Sequence, residues 1–286
     1  MRPSFRNFVL VISFLSAISF SCKKEQKETL EYDTQTSQDD ALAEGTFNDV
    51  NNIMNQAMQN GNAGLTTYRA ITNDNSPLSG CAAITVTPNG AGGAIVVDFG
   101  TSNCLCRDNK FRRGVISFTY TGAYKDSGTV ITTNFNDFYV GKDTLNMFKV
   151  SGTKTVTCHG LTASGYVYQV EVNGSMNDVT NRTMTWTSSR IRTWTSGYAT
   201  GGITGWADDI YSISGTASGT NFEGNSFTVN ITAPLIVDFS CRWITQGRIE
   251  LTPSGKPTRT LDYGTGSCDG LATVTVNGVS FQITLR

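Results

Sequence analysis

The sequence predicts an all-β protein, an antiparallel β-sandwich or extended meander of about a dozen strands preceded by one short N-terminal helix. Two observations carry this. From Cys81 onward, short stretches rich in Thr, Val, Ile, Tyr and Phe alternate with Gly, Asn and Asp, as in "GVISFTYTGAY", "GTVITTNFNDFYV", "YVYQVEVNGS" and "FTVNITAPLIV". Turn words such as "KDSG", "VNGS" and "FEGN" fall between them at hairpin intervals, and no second long helical period appears. With 286 residues, 38% of them hydrophobic, the chain is long enough to bury a core as one large domain or two small ones. Charged residues make up only 16% and the formal net charge is −1, so the basic footprint of a nucleic-acid binder is missing.

At the N-terminus, Arg2 and Arg6 precede an apolar run from Phe8 to Phe20 that closes in small residues and Cys22. This is the order of a secretory signal, over residues 1–21, and the run is too short to span a bilayer. The position of Cys22 resembles the lipidated cysteine of bacterial lipoprotein signals, although Ser19 and Phe20 depart from the usual box; plain secretion is the alternative. Each buried acyl methylene contributes about 0.8 kcal/mol, so several chains would hold the protein to a membrane. Residues 22–40 have almost no apolar side chains and read as a lipid-anchored cysteine followed by a solvated tether. Over 41–61, Leu42, Phe47, Val50, Met54, Ala57 and Met58 recur at helical intervals, with Asp39 or Asp40 as cap and Gly61 as stop. That helix is expected to pack its apolar stripe on an all-β domain spanning 62–286.

Within the β domain one phrase is written twice. "TPNGAGGAIVVDFGTSNC" at 87–104 and "TPSGKPTRTLDYGTGSC" at 252–268 share Thr, Pro, Gly, Asp, Gly, Thr and Cys at matching places. Pro before [NS]-G sets a turn, a strand follows, and the Asp of Asp-aromatic-Gly bonds nearby amides while Gly takes a backbone conformation closed to other residues. Both copies read as equivalent structural corners. Setting Cys22 aside, Cys81, Cys104, Cys106, Cys158, Cys241 and Cys268 form an even set that in an exported chain suggests disulfides. Each corner cysteine has another upstream, 23 and 27 residues away, which favours Cys81–Cys104 and Cys241–Cys268 and leaves Cys106 and Cys158. Zinc is disfavoured: Cys104 and Cys106 are spaced C-x-C, and the only histidine, His159, adjoins Cys158.

Chemistry is thin. Asp98 and Asp262 invite a paired-carboxylate mechanism, but each sits where a corner needs a structural aspartate. There is no H-E-x-x-H and no G-x-S-x-G, so an enzyme is not expected, and neither is a metal or cofactor. Asp208 and Asp209 offer oxygen ligands for calcium, or simply a solvated loop. In "MTWTSSRIRTWTS", alternation along a strand puts Trp186, Arg190, Arg192 and Trp194 on one face. That face is either a ligand surface for a sugar or peptide or the inward side, its aromatics covering the core and its arginines capping them.

The cysteine with Lys-Lys-Glu, the polar tether, the helix, and then "VDFGT", "SGTKTVT", "TWTSSRIRTWTSG", "SGTASGT" and "TPSGKPTRTLDYGTGSCD" resemble a group of Bacteroidota-type outer-membrane and surface lipoproteins. The resemblance covers nearly the whole chain. It implies outer-membrane residence through the lipid, on the periplasmic or extracellular face, and β structure, with no activity attached. It also implies one modification: "DTL" at 143–145 is similar to an O-glycosylation sequon, with Thr144 as acceptor. The expected role is a non-catalytic interaction or binding module for a surface glycan or protein partner. Glycan binding within a nutrient-uptake system is the alternative, and a hydrolase using Asp carboxylates the third reading.

Overall fold

The computed structural model describes residues 34–62, 67–69, 81–200 and 205–285. Helix α1 (Gln35–Asn62) is followed by fifteen strands: β1 (Thr67–Arg69), β2 (Ala83–Asn89), β3 (Gly92–Asp98), β4 (Cys104–Leu105), β5 (Phe111–Tyr120), β6 (Val130–Gly141), β7 (Met147–Thr162), β8 (Gly165–Asn177), β9 (Thr183–Ser196), β10 (Ile210–Thr220), β11 (Ser226–Asp238), β12 (Ile244–Pro253), β13 (Arg259–Thr265), β14 (Leu271–Val276) and β15 (Val279–Thr284). All fifteen belong to one antiparallel sheet in which each strand pairs with the next in sequence, except that the two-residue β4 sits on β5 beside the main path. The sheet is open, ending at β1 and β15. Of the two arrangements expected, this is the meander; a sandwich would need a second sheet.

The core is made by bending this sheet around the helix. Contacts of α1 reach β3 near one end of the sheet, β9 in its middle and β12 near its other end. Alternation does the rest: along β9 and β12 every second side chain is buried against the helix and the intervening one faces water. Phe47 shows how close the packing is. Its ring stacks on Trp186 at 5.3 Å between centroids and presses on Gly174 of β8, where any side chain would meet it.

The start of the helix differs from expectation. The helix begins at Gln35, so residues 35–40 belong to the fold and not to a tether. Asp39 and Asp40 lie inside the helix, fully buried, and cap nothing. The reason is that the sheet supplies partners for this polar sequence. Asp39 accepts from the backbone amide of Phe222, Asp40 accepts from Trp186 Nε1 at 3.0 Å, and Asn221 donates to Thr36 Oγ1. Apolar content alone underestimates what a helix can bury when its polar groups are satisfied.

The twin corners form as expected. Asp98 Oδ1 accepts from Gly100 N at 2.7 Å and Asp262 Oδ1 from Gly264 N at 2.9 Å, with the two glycines at φ of +82° and +92°. Phe99 and Tyr263 turn inward and are buried. Disulfides Cys81–Cys104 and Cys241–Cys268 tie the corners to the starts of β2 and β12. The other two candidate disulfide cysteines, Cys106 and Cys158, are buried free thiols. They cannot meet: Cys106 is hydrogen-bonded into the β4–β5 turn, whereas Cys158 sits near the far end of β7, against Tyr168. Burial raises both thiol pKa values, which keeps them protonated and inert.

Alkylation of the non-reduced protein tests this arrangement: Cys106 and Cys158 resist reagent in the native state and react once the chain is denatured, while the four corner cysteines react only after reduction. Gly174→Ala is expected to lower stability by roughly 1–3 kcal/mol in chemical denaturation, through overpacking against Phe47. Adding Phe47→Leu should return part of that loss.

Candidate ligand groove

The face carrying Trp186, Arg190, Arg192 and Trp194 is the inner one, so it offers no surface ligand site; each residue is buried to within 3%. Its partners are on the helix. Arg190 pairs with Glu44 at 2.7 Å, and Arg192 donates to Asn48 and Asn52 at 2.9 and 3.0 Å. Trp194 Nε1 donates to Asp209 at 3.1 Å, and Arg190 and Arg192 lie over the rings of Trp186 and Tyr211. The strip was readable as a shared face; what covers it was not. Strand β5 adds Arg112, bonded to Asp49 at 2.8 Å, and β7 adds Lys154, which donates to the carbonyl of Phe47 and to Asn51. Five cations and five acids are buried among the described residues, the cations all from the sheet and four of the acids from the helix.

Burial and the nearby Glu44 carboxylate push the pKa of Asp40 from the ordinary 3.8 up to about 7. Burial and the Arg192 charge push Lys154 well down. Asp209, one of the two acids considered for calcium, is buried under Trp194, while Asp208 accepts from the Thr200 hydroxyl; among the described residues no cluster of three metal-binding side chains occurs. Cys158 is turned inward and His159 outward, so the pair cannot share a metal. Asp98 and Asp262 serve their own corners, and Thr144 is exposed on the β6–β7 turn.

An accessible concavity lies elsewhere, where three turns meet over the helix. The β4–β5 turn brings Asn109 and Lys110, the β6–β7 turn Lys142 and Asn146, and the β11–β12 turn Arg242 and Trp243, enclosing a groove of about 350 Å³. Its floor is Gly45, where an added side chain would meet nothing within 4 Å. A deeper cleft of about 70 Å³ continues past Gly45 toward Asn48 and Asn52. Local chemistry fixes each wall. Asp143 accepts from the amides of Leu145 and Asn146, Arg242 reaches the carbonyl of Asp108, and the Cys241–Cys268 bridge anchors the third turn. Trp243 packs on Gly270 and carries the Arg242 guanidinium over its ring at 4.5 Å. Lys110 is held by Asp49 at 3.4 Å, whereas Lys142 and Arg242 are exposed. An indole plate, two amides and two exposed cations, with Lys110 paired to Asp49 and Asp143 the one acid in the lining, suit a polar ligand bearing negative charge. Sequence reasoning missed this site because its residues come from three separated turns; the adjacent Arg242-Trp243 pair was the only local sign.

No family model, curated protein or solved structure matches the chain.

Asp40 sets a pH dependence. Its folded-state pKa lies above the unfolded one, so between about 4 and 7 the folded chain holds the extra proton and stability falls as pH rises, then levels off. Asp40→Asn, which keeps an acceptor for Trp186, is expected to match wild type near pH 4 and to exceed it above pH 7 by on the order of 2–4 kcal/mol, read by denaturation at several pH values.

Proposed function

We propose that this chain is a lipid-anchored, non-catalytic binding module at the outer membrane, outside the cytosol, and that it takes an anionic saccharide in the groove around Trp243. The observation that carries the reading is that groove: a concavity within the size range of small-molecule sites, with an aromatic plate beside amides and ammonium groups. Sugars present apolar ring faces to indoles and hydroxyls to amides, and acidic sugars add a charge for Lys110, Lys142 and Arg242. Export is supported by the signal-like N-terminus ending at Cys22 and by two disulfides, which persist in oxidising compartments. The glycan-binding alternative thus moves from the buried Trp186–Trp194 strip to the groove around Trp243.

A glycan array carrying neutral and acidic saccharides tests the reading. The wild-type chain is expected to select acidic members, and Trp243→Ala or Lys142→Glu to weaken binding at least about tenfold, or roughly 1.4 kcal/mol. Gly45→Leu fills the groove from a position with open space and should abolish binding with the circular dichroism unchanged. Binding that survives Gly45→Leu, or no acidic ligand on the array, defeats the proposal.

A further inference from the structure

Turns between strands are ordinarily polar, because their backbone faces water. Three neighbouring hairpin ends of this sheet are not. Leu105 beside the β4–β5 turn, Leu145 on the β6–β7 turn and Val179 on the β8–β9 turn are 54%, 80% and 59% exposed. Leu161, on the opposite rim, is the only other large apolar residue among those described that is more than half exposed. Register puts the three at one level: Leu105 pairs with Phe111, Phe111 with Gly141 and Gly141 with Met147, and the pairing of Lys149 with Asn177 carries Val179 to the height of Met147. With strands about 4.8 Å apart, the row spans roughly 20 Å. Single exposed apolar residues need no explanation, but a row of them along one rim marks an interaction edge.

Two further observations identify the partner. The same turns carry exposed Arg107, Lys142 and Arg182, the last paired with Asp178 at 2.8 Å, and Asp108 and Asp143 stand beside the other two. The helix also starts at this rim: Asn221 of the β10–β11 turn holds Thr36, and its neighbour Phe222 stacks on Phe148 and lies under Arg182. The first turn of the helix therefore lies beside these turns. Only twelve residues, 23–34, separate Cys22 from Gln35, and such a segment reaches no more than about 47 Å.

We infer that this rim, with Leu105, Leu145 and Val179 as its apolar tips and Arg107, Lys142 and Arg182 as its cations, docks on an anionic lipid bilayer. The inference deepens the membrane residence proposed above and rests on it for the anchor at Cys22. Apolar tips enter the headgroup boundary while cations meet lipid phosphates, so attachment depends on both surfaces.

The test uses the full chain with Cys22→Ser, which removes the acylation site, sedimented with vesicles of phosphatidylcholine alone or containing phosphatidylglycerol. At least about tenfold stronger binding to the anionic vesicles is expected, weakening as salt screens the charges. The combined variant Leu105→Ser, Leu145→Ser, Val179→Ser should lose that binding at least about tenfold, as should Arg107→Glu, with circular dichroism and saccharide binding unchanged. Equal binding to both vesicles, or indifference to the apolar triple variant, overturns the inference. So does a glycan found on Thr144 by intact mass, because a sugar beside Leu145 would keep that turn out of the headgroup boundary. Mass analysis of the wild-type N-terminus reports on the anchor separately: an acyl-free terminus with retained vesicle binding sinks the anchor and spares the docking rim.

Discussion

The structure depends on the pairing of buried polar and charged groups across the gap between one helix and one sheet. Helix α1 brings Asp39, Asp40, Glu44 and Asp49 inward; the sheet brings Arg112, Lys154, Arg190, Arg192 and Arg259. A carboxylate or guanidinium taken from water without a partner costs several kcal/mol, so neither element can bury its polar residues without the other. Ion pairs of this kind contribute little net stability once desolvation is counted. Their effect here is on placement: Arg190 opposite Glu44 and Trp186 opposite Asp40 admit one rotation and one depth of the helix in its trough.

That placement decides where the groove around Trp243 lies. With the helix held to β9 through Asn48, Asn52 and Arg192, Gly45 comes to lie beneath the three turns bearing Lys110, Lys142 and Trp243. Asp49 links the two regions, since it accepts from Arg112 in the core and pairs with Lys110 at the groove wall. The charge balance that seats the helix thus also positions a cation beside the groove.

Local features were legible in the sequence and distant ones were not. The Asp-aromatic-Gly corners could be read because an aspartate bonding the amide two residues on is a matter of a few atoms, and the duplicated spacing pointed to both disulfides. Alternation in β9 correctly grouped Trp186, Arg190, Arg192 and Trp194, since a strand has period two. Whether that face met water depended on a helix some 140 residues earlier, which no local pattern encodes. The same distance explains why residues 35–40 looked like tether: their polarity argues for solvent until their partners Phe222, Trp186 and Asn221 are in view. The groove was hidden for a related reason, its walls being contributed by turns that neighbour one another only in the curled sheet.

An unbroken meander divides the entropy of folding unevenly. Apart from β3 with β5, every ladder joins consecutive strands, most of them across short connections, so the sheet closes mainly small loops one after another, and loop-closure entropy grows only slowly with length. The helix is the exception, bonded to residues 63 to 185 positions away. A largely polar segment of this kind has little reason to stay helical alone, because helices in proteins draw most of their stability from packing. The topological burden of the whole chain therefore falls on a single event: seating the first element made into a cradle that the last strands complete.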